Sequence, residues 1–193
     1  MAIYGGVPGD VKFKDLNNDG VIDANGDRKI IGYTKPNFTM TMSNTFTYKN
    51  FELYFLLNWI SGGGKDNYYI ANNIYANYVG TFGGGGTANW LDKEYWMPEH
   101  PSNKVPRPNY KNPYGYQFPQ RHDFLRLQDL SLAYNFDKEL LKKTPIQDLK
   151  LYMAAKNLLT FTGWEGQDPE TGQAYAHGNP AMRNITVGVE VVF

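Results

Sequence analysis

The residues best suited to bind a metal ion lie close together near the start of the chain, within 15–27. Side-chain oxygens recur there at alternate positions and a glycine follows them, which matches the first half of a calcium loop, D-x-[DN]-x-[DN]-G. Gly20 permits the sharp turn, and a ligand set made only of oxygen favours calcium over softer metal ions. The predicted calcium ligands are Asp15, Asn17, Asp19, the carbonyl of Val21, Asp23 and Asp27.

The second half of this loop departs from an EF-hand. Its twelfth position, where an EF-hand places a bidentate glutamate, is Gly26, and no amphipathic helix flanks the loop in the sequence. Short runs of Asp, Asn and Gly also form turns that are held by bonds from their side chains to their own backbone. Two interpretations therefore stay open at this point, a calcium site and a metal-free turn.

The other polar residues do not predict an enzyme. The chain has no cysteine, its three histidines are scattered, and neither H-E-x-x-H nor G-x-S-x-G occurs. Asp168 and Glu170 have the residue types of a glycosidase carboxylate pair, but their position around Pro169 favours a structural role in a turn. With 19 basic and 19 acidic residues and no basic stripe, the chain is not predicted to bind nucleic acid either.

The elements that carry these residues are predicted to be β-strands. Aromatic residues make up 16% of the chain, which also holds 20 Gly and 11 Pro, and this composition is typical of strands separated by turns. Apolar residues alternate with Thr and Ser from Phe38 to Tyr48, and the alternation resumes from Phe51 to Trp59. The two-residue turn Lys49-Asn50 between them predicts a hairpin of long strands over 37–61.

Regular patterning returns in the last third of the chain, where three more strands are predicted within 121–193. The apolar residues change parity at Gln128-Asp129, which indicates a β-bulge. A short helical turn is predicted over 137–145, ended by proline. The terminal strand, Ile185–Phe193, has one continuous apolar face and stops on an aromatic residue.

The connections predict which way these strands run in a membrane. Short turns lie at one end of the strands, whereas residues 1–36, 62–120 and 162–180 form long loops at the other, and a short helix is predicted near Asn89–Trp96. This asymmetry is the layout of outer-membrane barrels, which have short periplasmic turns and long extracellular loops. No apolar run of about 18 residues exists, so a membrane-spanning helix is not predicted. The fold class predicted is therefore all-β, an antiparallel sheet of about five strands that belongs to a large transmembrane β-barrel.

Several motifs resemble the C-terminal part of SusC/RagA-like TonB-dependent outer-membrane transporters. The resemblance covers essentially the whole chain, and the stretch that ends in Asp168-Pro169-Glu170 is the most specific part of it. The segments that carry it are Pro8–Asp15, Asn17–Asp23, Asp27-Arg28, Ile31-Gly32, Pro36, Asn50–Leu53, Arg126–Tyr134, Lys156–Glu170 and the terminal strand.

This resemblance implies the outer membrane of a Gram-negative bacterium and the import of oligosaccharides or peptides, driven by TonB, with a SusD-like lipoprotein as partner. It also implies that the barrel-assembly machinery reads Phe193 as a C-terminal aromatic signal. About five strands cannot close a barrel of about 22 strands. No plug domain or TonB-contact segment appears in 1–193, and residues 1–6 do not form a secretory signal. We therefore expect a C-terminal portion that does not transport by itself. The alternative is a secreted calcium-binding β-protein for adhesion or carbohydrate binding.

Overall fold

The computed structural model describes residues 6–62, 70–72, 94–107, 110, 113–114, 119–164, 168–171 and 180–193. The chain divides into two compact units, one formed by Met1–Ile31 with Asn72–Pro119 and the other by Gly32–Ala71 with Gln120–Phe193. The elements in chain order are β1 (Phe38–Tyr48), β2 (Phe51–Ser61), β3 (Ile70–Asn72), β4 (Pro119–Arg121), β5 (Phe124–Asn135), α1 (Lys138–Leu141), β6 (Asp148–Thr162) and β7 (Asn184–Val192).

The larger unit is a five-stranded antiparallel sheet in the order β1-β2-β5-β6-β7. The predicted hairpin is confirmed, because Tyr48 pairs with Phe51 across a two-residue turn in which Lys49 has a φ of 51°. A positive φ at the first turn residue suits the right-handed twist of the flanking strands. The helical turn predicted over 137–145 is confirmed as α1, and a second sheet pairs the three-residue strands β3 and β4.

The predicted bulge is also confirmed, and it extends into the next strand. Leu56 pairs with Asp129 and Leu57 with Leu127, so Gln128 is the extra residue of β5 relative to β2. The β5–β6 register shifts at the same level, where Asn157 has a φ of 50° and donates a hydrogen bond to the carbonyl of Met182 at 3.1 Å. One extra residue changes the parity of a strand. The bulge therefore keeps the leucines before and after it on the same face of the sheet.

One face of this sheet carries no charged side chain. The register places its apolar residues side by side across all five strands, with Asn44 as a polar exception. The opposite face carries every charged residue of the five strands: Glu52, Arg126, Asp129, Asp148, Lys150, Lys156 and Glu190. Opposite charges are neighbours there, since Lys150 pairs with Glu190 in register. The two faces therefore suit two different environments.

Aromatic rings bound the uncharged face at both ends. At the end with the short turns, the rings of Phe51 and Tyr134 lie 4.8 Å apart and those of Tyr134 and Phe136 lie 4.9 Å apart. At the other end, Phe38 and Trp59 meet edge to face at 4.9 Å. Between these two rows the face is aliphatic apart from Asn44 and the neighbouring rings of Phe46 and Phe55. The sheet thus shows an apolar band between two aromatic bands.

Gly188 of β7 permits a close contact on the charged face. A Cβ atom at this position would collide with the ring of Tyr152, its register partner on β6. Tyr152 therefore lies directly over the backbone of the terminal strand, which explains why the small residue in the Ile185–Phe193 alternation is a glycine.

The smaller unit contains the Asp/Asn/Gly loop and few regular elements in the part that the structure describes. Asp10 accepts a hydrogen bond from Nε of Arg107 at 2.6 Å, and the N–H of Arg107 donates to the carbonyl of Gly9 at 2.9 Å. Gly9 has a φ of 90°, and the ring of Trp96 occupies the space that a Cβ atom there would need. These contacts hold residues 9–10 against residues 96–107.

Parts of the predicted loops fall outside the described residues, including the glycine run at 83–86 and all but the first residue of the glycine run at 62–64. The short helix predicted near Asn89–Trp96 lies mostly there as well, and residues 94–96 are not helical. Strands β3 and β4 were not predicted in this loop, because three residues are too few to show an alternation. Within the described residues, no helix has the length and apolar character needed to cross a membrane.

Candidate functional site

The first candidate site is the Asp/Asn/Gly loop, where backbone N–H groups already bond to the predicted calcium ligands. Asp15 accepts hydrogen bonds from the N–H groups of Asn18 and Gly20 at 2.6 and 2.9 Å. Asp19 accepts one from the N–H of Val21 at 2.8 Å and another from the Asn17 side chain at 2.8 Å. These are the side-chain-to-backbone bonds of the metal-free turn.

Asp27 and Asp23 close the loop in the same way. The two carboxylate oxygens of Asp27 accept hydrogen bonds from the N–H groups of Leu16 and Asp23 at 2.6 and 2.8 Å. The bonds from the N–H groups of Asp23 and Leu16 lower the pKa of the Asp27 carboxyl below its usual value. At Gly26, the twelfth position of the loop, the Asn17 side chain occupies the space that a Cβ atom would need.

The loop therefore has ordered oxygens whose negative charge remains available to a cation. An oxygen that accepts one N–H bond keeps further acceptor capacity. No three His, Asp or Glu side chains of the described residues are grouped as a metal site. Two of the six predicted ligands, the Asn17 amide and the Val21 carbonyl, are not His, Asp or Glu side chains, so they do not count toward such a group. Calcium binding here stays a prediction.

The second candidate site is a buried ion cluster on the charged face of the sheet, near the β5 end that begins at Phe124. Arg126 is 4% exposed and donates to Asp168 at 2.7 Å, to Glu170 at 2.6 Å and to the Thr160 hydroxyl at 3.1 Å. Its guanidinium also lies 4.9 Å from the centre of the Phe124 ring. Arg126 thus ties the turn at 168–170 to strands β5 and β6.

Asp168 is the centre of this cluster. One of its oxygens accepts the N–H of Glu170 at 2.9 Å, and the other accepts the N–H of Ala181 at 2.7 Å. Burial alone would raise the pKa of the Asp168 carboxyl, but these two backbone donors and the Arg126 guanidinium outweigh burial and lower the pKa. Asp168 is therefore a carboxylate at neutral pH, and its geometry does not suit the general acid of a glycosidase.

His122 extends the cluster on its buried side. Its Nδ1 lies 2.6 Å from the carbonyl of Pro169, and because a carbonyl only accepts, Nδ1 carries the proton. Burial lowers the pKa of His122, although this hydrogen bond and the Asp123 carboxylate favour the charged form. Its ring lies 5.7 Å from that of Trp164, which is buried too. His122 is thus a neutral, buried support for the turn.

The sequence predicted a structural role for Asp168 and Glu170 but missed the residues that hold them. Arg126 could have been noticed as the one cation of β5, on a strand whose other face is apolar. Its partners lie about forty residues further on, so no local spacing pointed to the pair. Phe193, the predicted assembly signal, follows the end of β7 and is 75% exposed.

The chain is similar in sequence to curated TonB-dependent receptors. It is 33% identical to TonB-dependent receptor P3 of Formosa agariphila in an alignment of 187 residues that covers 95% of this chain and 17% of that receptor. It is 31% identical to TonB-dependent receptor P39 of the same organism in an alignment of 203 residues, gaps included, that covers 96% of this chain and 19% of that receptor. The chain thus spans about a fifth of the length of these relatives. No protein-family model matches it.

Solved structures share the fold. The RagAB peptide transporter matches with a TM-score of 0.66 and 22% identity over 89% of this chain and 19% of that one. The open-open state of the RagAB peptide importer matches with a TM-score of 0.62 over 90% of this chain. The solved structures show that the chain shares the fold of one part of the RagAB peptide transporter. The sequence relatives show that it belongs to the TonB-dependent receptors.

Proposed function

We propose that this chain forms part of the wall of an outer-membrane transporter that imports nutrients in a TonB-dependent manner. The observation that carries the proposal is the uncharged face of the sheet, which is apolar between two aromatic bands. Its side chains are open to the surroundings, with Val187 68% exposed and Phe46 57% exposed. Exposed apolar patches of this extent mark membrane or protein contacts, and aromatic rows on both sides match the lipid face of a barrel.

The dimensions of the strands agree with this role. Strands β1 and β2 have 11 residues each. At about 3.3 Å per residue and a tilt of about 40°, such strands cross an apolar layer of about 25 Å. The charged face then lines the interior of the barrel, which is polar in this class of protein.

The sheet needs further strands in order to close. Among the described residues, β1 pairs only with β2 and β7 only with β6, so each of these strands has one open edge. An open sheet edge does not occur in the hydrocarbon layer of a membrane, because its backbone groups find no partners there. The chain therefore acts as one part of a longer protein, about as long as its relatives, whose strands close the barrel. This longer protein is called here the whole receptor. The chain does not transport by itself.

The proposed partners follow from this placement. The whole receptor imports oligosaccharides or peptides, with a SusD-like lipoprotein at the cell surface and with TonB acting from the periplasm. The barrel-assembly machinery inserts it into the outer membrane of a Gram-negative bacterium. The relatives named as TonB-dependent receptors and the fold shared with a peptide transporter support this proposal.

Lipid contact is tested by fluorescence quenching in vesicles. Trp59 lies on the uncharged face, so brominated lipid should quench its emission in the whole receptor. Tyr54→Trp in a receptor that also carries Trp59→Phe places the indole on the charged face of the same strand, where we expect little quenching. Equal quenching at both positions would contradict the assignment of faces.

Transport is tested in cells. Deleting the gene should abolish uptake of a labelled nutrient, and uptake in the parent strain should stop when TonB is removed. Uptake that continues without TonB would overturn the proposal. The alternative, a secreted calcium-binding adhesion protein, has no specific observation in its favour and predicts a folded monomer in buffer without detergent.

A further inference from the structure

A groove in the smaller unit has the character of a ligand-binding site. It encloses about 870 Å³ and is lined by residues from 11–31 together with Pro113 and Tyr114. This volume falls within the range of binding pockets for small ligands, roughly 300–1,000 Å³. Neither candidate site described above accounts for the groove, although the Asp/Asn/Gly loop forms part of its wall.

The apolar residues of the lining, called here the floor of the groove, are largely aliphatic. Leu16, Ile22, Ile30 and Ile31 line it, and Ile30 is 71% exposed. Two aromatic rings, Phe13 and Tyr114, also contribute, but they meet each other edge to face at 4.7 Å. Sugar rings and nucleobases bind on open aromatic faces. The floor therefore suits aliphatic side chains better than stacked rings.

The charged residues of the lining, called here the rim of the groove, are mainly cationic. Lys12, Lys14, Arg28 and Lys29 line it and are all exposed. None of the four is paired with a carboxylate of the described residues. These cations therefore leave their charge open to a ligand.

Two carboxylates, those of Asp23 and Asp27, also line the groove and offset part of its positive charge. The oxygens of Asp27 receive the N–H groups of Leu16 and Asp23, and Asp23 receives those of Asn25 and Gly26. Their hydrogen bonds are directed into the loop. Four cations against two such carboxylates leave the groove with a positive excess.

We propose that this groove binds an acidic peptide with aliphatic side chains, as a binding site for the imported substrate. The cationic rim pairs with the Glu or Asp residues of the peptide, and its Leu, Ile or Val side chains cover the aliphatic floor. The substrate role rests on the proposed function, since an imported peptide reaches a receptor from the cell surface. Peptide binding at the groove does not rest on it.

The test measures the affinity of labelled octapeptides for the whole receptor in detergent. A peptide of alternating Glu and Leu should bind, whereas Lys-Leu and Glu-Ser peptides should bind at least about tenfold more weakly. Raising the ionic strength from about 0.01 to about 1 M shortens the Debye length from about 30 to about 3 Å. It should therefore lower the affinity of the Glu-Leu peptide for the receptor.

Variants assign the binding to this groove. Lys12→Glu combined with Arg28→Glu should lower the affinity for the Glu-Leu peptide at least about tenfold. Ile30→Ser should also lower this affinity, but without changing its dependence on salt. Lys104→Glu is the matched control, because this exposed lysine lies in the same unit outside the groove. Unchanged affinity in the charge-reversed variant would overturn the proposal.

Two further outcomes separate this proposal from its neighbours. If charge reversal removes a co-purifying lipoprotein and leaves peptide affinity intact, the groove is a protein interface and the substrate proposal is wrong. If lipid quenching and TonB-dependent uptake succeed while no peptide binds, the proposed function stands and this inference fails. If the peptide binds but TonB-dependent uptake fails, the groove stands and its substrate role falls.

Discussion

At the scale of single residues, Arg126 determines how the turn at 168–170 is held. Its guanidinium and the Asp168 carboxylate are both almost fully buried, whereas the Glu170 side chain is 50% exposed. Removing one member of a buried ion pair leaves the other uncompensated and costs about 3–5 kcal/mol, whereas an exposed pair contributes about 0–1 kcal/mol. The two carboxylates therefore differ in importance although both contact the same arginine.

Arg126→Ala should release the segment that Asp168 holds. We expect hydrogen exchange of the Ala181 N–H, which donates to Asp168, to become faster by about two to four orders of magnitude, as a loss of about 3–5 kcal/mol implies. Glu170→Gln is the matched control and should change this rate by less than about fivefold. Equal effects of the two variants would show that burial does not set the strength of the cluster.

The same amide should respond to pH in two steps. The pKa of His122 is lowered in the folded state. Release of the segment at 168–181 removes the contact of His122 with Pro169, so His122 then takes up a proton below the ordinary pKa value of 6.5. The exchange protection of Ala181, corrected for intrinsic rates, should therefore fall as the pH drops below about 6.5. The pKa of Asp168 is lowered from 3.8, so its contribution persists above that pH and is lost below it. His122→Gln should remove the first step alone, and a first step that persists in this variant would contradict its assignment.

Calcium should stabilise the Asp/Asn/Gly loop. Binding adds RT ln(1 + [L]/Kd) to stability, so about 1 mM calcium should raise the melting temperature and slow exchange of residues 15–27. Asp15→Asn with Asp19→Asn should abolish this effect, because each amide keeps one of the two acceptor oxygens but loses the charge. A loop that does not respond to calcium in the unmodified protein would leave the metal-free turn as its description.

At the scale of elements, strand alternation was readable from the sequence and the long-range ties were not. The hairpin over 37–61 and the bulge at Gln128 follow from a period of two and a local turn, which depend on neighbours in the chain. Arg126 is joined to Asp168 across 42 residues, and such pairs depend on how loops fold over the sheet. The same holds for the groove, since Ile30 and Tyr114 come from segments far apart in the sequence.

A charge on each face of β5 tests the assignment of environments. Leu132 lies on the uncharged face between Leu53 and Met153, and Ser131 lies on the other face between Tyr54 and Ala154. Leu132→Arg should destabilise the whole receptor in lipid vesicles by about 2–4 kcal/mol, whereas Ser131→Arg should cost clearly less. Urea titrations of folding into vesicles measure both. A larger loss for Ser131→Arg would reverse the two faces.

At the scale of the whole molecule, the sequence predicted an unclosed barrel portion, and the sheet order agrees with it. The family was predicted from motifs that resemble those of its members, and the sequence relatives show that the chain belongs to the TonB-dependent receptors. The division into two compact units was not predicted, because the loop residues that build the smaller unit have no periodicity. What the smaller unit binds could only be inferred from side chains that the fold brings together.

Phe193 should matter for assembly more than for stability. It is largely exposed at the end of β7, so Phe193→Ser should change folding into vesicles by less than about 1 kcal/mol. In cells, the same variant should reduce the amount of receptor in the outer membrane severalfold, if the assembly machinery reads this aromatic residue. Normal amounts in the membrane would contradict that role.

The hydrogen bonds of Asp168 also shorten the loop that must close before the last two strands can pair. Between the end of β6 and the start of β7 lie residues 163–183, and Asp168 bonds to Ala181 across most of that span. Closing a loop has an entropic cost that grows with its length. Once Asp168 and Ala181 meet, only a few residues separate that contact from each strand. The β6–β7 hairpin can then close in register as a local event.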